Sequence, residues 1–161
     1  YKGVDNLLEI AKLCPEIHFD VIGRVDPQMQ SIVDELKKLP NVFLNNNYVS
    51  DDEMKEAFIN ADWVILPYNS ASQSGVIIDA YKYSRPVIAF DVGAISEQIE
   101  DSVSGILIKG KDNRRFATEL KYVACEDFVL DKACSDAYAF GIKKYGLSSA
   151  VIRFKEMINN E

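Results

Sequence analysis

Amphipathic helical stripes alternate with short apolar runs along the first two-thirds of the chain. Val4, Leu7, Leu8 and Ala11 recur at helical spacing and predict a first helix. The run 17–23 then changes from alternating to continuous apolar residues, which is typical of a strand. Strands joined by helical crossovers run in the same direction, so this alternation predicts a parallel sheet.

The same pattern continues towards the end of the chain. Further strands are predicted at 42–44 with a polar continuation to 49, at 63–67, at 87–90 and at 106–108. Further helices are predicted at 27–39, after the capping-box spacing of Ser50 and Glu53, from Gly75 onward, around Glu97 and Ile99, and at 113–124, 126–145 and 149–159. We therefore expect an α/β fold with an open, doubly wound parallel sheet and helices on both faces.

Composition adds limits to this fold class. The chain has 161 residues, which suits one domain, and its longest apolar runs are far too short for a transmembrane segment. A net charge of −7 argues against a nucleic-acid partner, because such binding needs clustered Lys and Arg. The three cysteines lack metal-ligand spacing, so we expect no metal site or disulfide framework, only buried thiols of a reducing compartment.

The candidate site follows the strand at 63–67. A polar loop leads to Ser74 and Gly75, where a helix begins, and the first amides of such a helix suit an anion. Asp79 lies one turn beyond Gly75, roughly 6 Å along the same face. A diphosphate on the amides of 74–76 would place an attached ribose near this carboxylate. The alternative is that Ser74 is only a helix N-cap and Asp79 only a solvated acid.

Other loops should lie at the same edge of the sheet, because ligands of doubly wound folds bind outside the carboxyl ends of the strands. Gly23, Arg24 and Tyr48 are therefore candidate base or phosphate contacts, although solvent exposure explains Arg24 equally well. His18 lies in an alternating strand away from this edge and is interpreted as structural. The aromatic residues Tyr122, Phe128, Tyr138 and Phe140 fall on predicted helices and are interpreted as core.

Several segments follow one another in a characteristic order: Lys2-Gly3 before a Leu-Leu helix, a strand ending in Ile-Gly, Asn41 to Leu44, Ala61 to Pro67 (ADWVILP), Asp79 to Tyr81, Arg85 to Ala89 (RPVIA) and Gly93 to Glu97 (GAISE). Together these segments resemble the C-terminal domain of glycosyltransferase family 4, which has the GT-B fold. The resemblance covers nearly the whole chain. It implies a Rossmann-like, donor-binding half of a retaining, metal-independent transferase.

The resemblance also assigns residues. Lys2 matches the lysine that contacts the donor diphosphate, and Gln73, Ser74, Gly75 and Val76 match the loop whose amides receive the phosphates. Asp79 matches the second acid of an E-x7-E motif, which holds the ribose hydroxyls. Ala71 stands where the first acid should be, so contact with the donor sugar differs, the donor differs, or transfer activity is lost.

The implied ligand is a UDP- or GDP-linked sugar, transferred to a glycan or lipid-linked acceptor in bacterial polysaccharide or glycoconjugate assembly. Under this resemblance, residues 1–161 form a single domain that lacks its first strand and an N-terminal acceptor domain, and that is inactive alone. The expected location is the cytoplasm, with the missing domain as the route to the inner membrane face. The alternatives are a non-catalytic nucleotide-sugar-binding module and a sugar-nucleotide epimerase of the same fold.

Overall fold

The computed structural model describes residues 1–24, 26–125 and 127–146. The helix predicted at 149–159 lies outside the described residues, as does the side chain of Phe128. The described helices are α1 Val4–Leu13, α2 Gln30–Leu36, α3 Asp51–Asn60, α4 Gly75–Lys82, α5 Asn113–Ala124 and α6 Asp127–Tyr145. The described strands are β1 Phe19–Ile22, β2 Val42–Asn45, β3 Val64–Leu66, β4 Val87–Phe90 and β5 Gly105–Ile108.

All strand pairs are parallel, but the sheet is in two parts. β1 pairs with β2 with Phe19 opposite Val42, and β4 lies between β3 and β5 with Val87 opposite both Val64 and Gly105. A buried apolar cluster nevertheless joins the two parts, because Phe19 of β1 belongs to the same cluster as Ile88 and Phe90 of β4. The predicted α/β class with parallel strands is confirmed, whereas β1 and β3 do not pair with each other within the described residues.

Helices cover both faces of the sheet, as the doubly wound class requires. On β4, alternate side chains point to opposite faces. Ile88 and Phe90 pack in a cluster with residues of α1, α2 and α5, and Val87 and Ala89 pack in a second cluster with residues of α3, α4 and α6. All four β4 side chains are fully buried, which explains the continuous apolar sequence of this central strand.

Several boundaries differ from the sequence prediction for local reasons. β2 ends at Asn45, because the Asn45 side chain accepts a hydrogen bond from the Asn47 amide at 3.2 Å and turns the chain. The helix predicted around Glu97 and Ile99 is a single 3-10 turn, Ile95–Glu97, and the segment 27–29 is likewise a 3-10 turn ahead of α2. The predicted capping box is confirmed, since Ser50 and Glu53 exchange both bonds at the start of α3.

The sequence predicted that four aromatic residues on helices and all three cysteines are buried, and this prediction was wrong in part. Tyr122 is 64% exposed and Tyr138 is 47% exposed, because both project from the outer faces of α5 and α6. Phe140 is partly buried and packs against Tyr81 in the second cluster. Cys14 is buried, and this burial raises the pKa of its thiol, whereas Cys125 is exposed.

Candidate functional site

Five of the predicted site residues line one cavity at the carboxyl end of β3. They are Lys2, Gln73, Ser74, Gly75 and Val76, and they enclose about 130 Å³ together with Tyr1 and Tyr68. This volume is several times the ~30 Å³ that a water molecule occupies. A larger cavity of about 460 Å³ lies along β5 between α5 and α6, but no predicted site residue lines it.

Lys2 is held at this cavity by the turn that precedes α1. The Tyr1 carbonyl accepts a hydrogen bond from the Asn69 amide at 2.8 Å, and Asn6 Nδ2 donates to the Pro67 carbonyl at 2.9 Å. Gly3 adopts the left-handed conformation, and a Cβ at this position would lie 1.7 Å from the Pro67 carbonyl oxygen. The Lys-Gly pair therefore packs its backbone directly on the chain that leaves β3, which places the exposed Lys2 at the cavity.

The first turn of α4 supplies backbone donors. Ser74 is the N-cap residue, but its side chain makes no capping hydrogen bond. Its amide donates to Gln98 Oε1 at 2.7 Å, so this N–H is engaged within the protein. The amides of Gly75 and Val76 have no hydrogen-bond partner in the part of the chain that the structure describes. These two amides sit at the positive end of the helix dipole, Lys2 lines the same cavity, and no acidic residue does, so the lining favours an anion.

Asp79 lies outside the cavity, one turn further along α4. Its side chain is exposed, and its carboxylate accepts no hydrogen bond from the described residues. Gly75 and Asp79 are four residues apart and lie on one face of the helix. A ligand anchored in the cavity would have to extend along this face to reach the carboxylate.

The structure does not bring Gly23, Arg24 or Tyr48 to the cavity. Gly23 and Arg24 follow β1 and Tyr48 follows β2, both in the other part of the sheet. Arg24 is exposed, and Tyr48 is 83% exposed. His18, interpreted as structural, is exposed, lies 3.1 Å from Asp20 and does not line the cavity.

Three residues at or behind the cavity were assigned no role from the sequence. Tyr1 and Tyr68 line it, with their rings 6.3 Å apart in an edge-to-face arrangement, and Gln98 bonds to its rim. Tyr68 lies in the loop after β3, which the sequence places at the ligand end of the sheet, but no ligand contact was assigned to it. Among the described residues there is no group of metal-binding side chains and no helix that could cross a membrane.

The fold and the placement of this cavity define a Rossmann-like domain of the GT-B type. Residues 1–125 match the pattern of the family described as Glycosyl transferases group 1, and the chain belongs to that family. A relative named D-inositol 3-phosphate glycosyltransferase from Mycolicibacterium gilvum is 28% identical over 134 residues, which cover 78% of this chain and 30% of the relative. An uncharacterized 41.2 kDa protein in the cps region of Klebsiella pneumoniae is 25% identical over 81% of this chain and 38% of its own length.

Solved structures are similar over nearly the whole chain. Anabaena Alr3699/HepE in complex with UDP has a TM-score of 0.83 at 17% identity and covers 100% of this chain and 46% of its own. The C-terminal domain of a glycosyl transferase group 1 family protein (LpcC) from Francisella tularensis has a TM-score of 0.77 at 22% identity, with 91% of this chain and 80% of its own covered. This chain therefore spans about a third of the length of its curated relatives and most of one isolated C-terminal domain.

Proposed function

We propose that this chain is the donor-binding half of a retaining glycosyltransferase and that the cavity takes the diphosphate of a nucleotide sugar. One observation carries the proposal: Lys2 lines the same small cavity as Gly75 and Val76, whose amides have no hydrogen-bond partner among the described residues. An ammonium group beside a helix N-terminus is suited to a doubly charged anion. Membership of the group 1 family and the UDP bound by Anabaena HepE support the same ligand class.

The chemistry that this arrangement provides is electrostatic. When the bond between the sugar and the diphosphate breaks, negative charge grows on the departing phosphate oxygen. An ammonium and two helix amides stabilise that charge without a metal ion, and the amides need no reorganisation because the first turn of α4 holds them in place before the reaction. In this proposal Lys2 and the start of α4 act on the leaving group, and the acceptor comes from a second domain.

Asp79 is proposed to hold the ribose hydroxyls. With the diphosphate in the cavity, the ribose would lie along the exposed face of α4, where the Asp79 carboxylate has no competing partner among the described residues. Asp79→Ala should weaken UDP binding by roughly tenfold, since a hydrogen bond to a charged group contributes about 1.5–3 kcal/mol and this site is exposed. Calorimetric titration of both proteins measures the difference.

The deoxy analogue of the nucleotide sharpens this test. If Asp79 binds the ribose hydroxyls, the Asp79→Ala protein should bind 2′,3′-dideoxy-UDP as well as the unsubstituted protein does. Asp52→Ala, which removes an exposed acid from the first turn of α3, is the matched control and should leave UDP affinity unchanged. If Asp79→Ala loses the same factor of affinity for UDP and for the dideoxy analogue, Asp79 does not bind the ribose hydroxyls.

We further propose that the parent protein supplies a strand between β1 and β3. An N-terminal acceptor domain would precede that strand in the chain and form a cleft with the domain described here. In doubly wound order the first strand of the domain is central. The Tyr1 carbonyl already accepts a bond from Asn69, just beyond β3, as the last residue of such a strand would. A longer chain that includes the preceding residues should show slower amide exchange in β1 and β3 and a higher Tm. Unchanged exchange in both strands would contradict the proposal.

Ala71 is the observation that favours a second candidate, a nucleotide-sugar-binding module without transfer activity. It occupies the position of the family acid, its carbonyl accepts from the Ala94 amide at 3.2 Å, and its methyl group packs against the second buried cluster and offers no polar atom to a sugar. The two candidates differ in turnover. The full-length protein with UDP- or GDP-sugar and a glycan acceptor should release nucleotide diphosphate if it is a transferase, whereas a module would bind the donor without consuming it.

A further inference from the structure

The Gln98 side chain is bound to both backbone groups of the residue that precedes α4. Its Oε1 accepts from the Ser74 amide at 2.7 Å, and its Nε2 donates to the Ser74 carbonyl at 3.1 Å. Both residues are buried, at 6% exposure each, and they are 24 positions apart in the chain. A primary amide presents an N–H and a carbonyl oxygen side by side, so it pairs with both backbone groups of Ser74 as a neighbouring strand would.

This pair of bonds controls the direction of the Gly75 amide. The Ser74 carbonyl and the Gly75 N–H belong to one planar peptide unit and point in opposite directions. Holding the carbonyl against Gln98 therefore turns the Gly75 N–H away from Gln98. Gly75 lines the cavity and Gln98 does not, so the N–H is directed to the side where the cavity lies.

Gln98 is itself fixed by buried partners. The backbone N–H of Gln98 donates to the Ile95 carbonyl at 2.9 Å, and its backbone carbonyl accepts from the Tyr81 hydroxyl at 3.3 Å. The Tyr81 hydroxyl also lies 2.9 Å from Ser104 Oγ, and both of these residues are fully buried. The backbone of Gln98 is thus held by buried groups that do not line the cavity, and the side-chain amide extends from this fixed backbone to Ser74.

We propose that Gln98 is a positioning residue that sets the start of α4 for diphosphate recognition by orienting the peptide between Ser74 and Gly75. This proposal rests on the diphosphate site proposed above. Gln98 does not contact the ligand and acts only through Ser74. With an apolar side chain at this position, the Ser74 carbonyl would keep only the 3.3 Å bond from the Ile77 amide, and the Ser74 amide would lose its partner. An ionised glutamate would place a carboxylate oxygen against the Ser74 carbonyl.

The test compares two variants by nucleotide affinity and by NMR. Gln98→Met keeps the length of the side chain and removes both hydrogen bonds, and Gln98→Glu keeps only the acceptor for the Ser74 amide. Both should bind UDP about tenfold or more weakly than the unsubstituted chain, while their affinity for uridine stays the same. Without any ligand, the Gly75 amide resonance should move in both variants.

Asn41→Leu is the matched control. Asn41 Nδ2 donates to the carbonyls of Ala11, Cys14 and Ile17, none of which lines the cavity, so this variant also loses a partly buried side-chain amide that binds backbone. It should lower stability and leave the ratio of UDP to uridine affinity unchanged.

The outcomes separate the two proposals. Failure of the unsubstituted chain to bind UDP would contradict the proposed function, and the unliganded Gly75 resonance would still test the role of Gln98. An unmoved Gly75 resonance in both variants, or an equal loss of UDP and uridine binding, would overturn the proposal for Gln98. Should Gln98→Met fail to fold, Gln98→Glu gives both readouts, since it retains one of the two bonds.

Discussion

Gly75→Pro is expected to reduce UDP affinity by about 10- to 100-fold without unfolding the domain. Proline has no N–H, so the substitution deletes the first of the two amide donors that we place on the diphosphate, and a hydrogen bond to a charged group contributes about 1.5–3 kcal/mol. The position tolerates proline because Gly75 is the first residue of α4 and Ser74 has the extended conformation that precedes proline, with φ −131° and ψ 117°. A Cβ at Gly75 meets no atom within 4 Å.

The control for this experiment is Asp51→Pro at the first position of α3. Ser50 before it is also extended, with φ −69° and ψ 165°, so the two substitutions make the same change at two helix starts. Both proteins should keep a Tm close to that of the unsubstituted chain, and both should bind uridine equally well. Calorimetric UDP titrations should differ only for Gly75→Pro. Full UDP affinity in this variant would show that the Gly75 amide does not bind the phosphate.

Gly93→Ala is expected to destabilise the domain by roughly 3–5 kcal/mol, the range of exceptional single substitutions. Gly93 has φ +56°, and a Cβ there would lie 1.9 Å from the Ala71 carbonyl oxygen. That carbonyl accepts the hydrogen bond from the Ala94 amide. The backbone of the cavity loop, residues 68–74 between β3 and α4, therefore packs directly on the Gly93-Ala94 turn. The methyl group would have to separate the two segments, and urea denaturation would measure the cost.

Gly110→Ala is the control that separates the two costs of Gly93→Ala, the steric clash of the new methyl group and the strain of a positive φ angle. Gly110 has φ +74°, but a Cβ there meets nothing within 4 Å. This variant should lose only the ~1–2 kcal/mol that a non-glycine residue costs in the left-handed conformation. If the two variants lose the same free energy of unfolding, the contact between Gly93 and Ala71 does not hold the cavity loop.

Hydrophobic spacing was sufficient to predict most of the fold. α5 has the predicted bounds, 113–124, because its apolar residues recur at helical spacing after Asp112, whose side chain caps the helix. β4 was recognisable because four consecutive apolar residues fit a strand buried on both faces. The same spacing misled us on Tyr122 and Tyr138, since an aromatic residue on a helix does not by itself show which face is buried.

The site residues that follow from the order of strands and helices could be predicted from the sequence. Those that depend on tertiary packing could not. A helix that begins just after a parallel strand places its free amides at the sheet edge, so Gly75 and Val76 could be named from the sequence. Gln98 could not, because its partner Ser74 is 24 residues away and a glutamine in a polar segment looks like a surface residue. The distance of Arg24 and Tyr48 from the cavity depends on how the two parts of the sheet are arranged, which spacing does not encode.

An NMR titration of the labelled chain with UDP tests the diphosphate site most directly. We predict saturable binding, with the largest amide shifts at Gly75 and Val76, smaller shifts at Lys2 and Asp79, and displacement of UDP by pyrophosphate. GDP and ADP in parallel titrations would identify the base preference. Shifts that cluster at the larger cavity along β5, or no shift at the start of α4 when UDP is saturating, would contradict the proposed site.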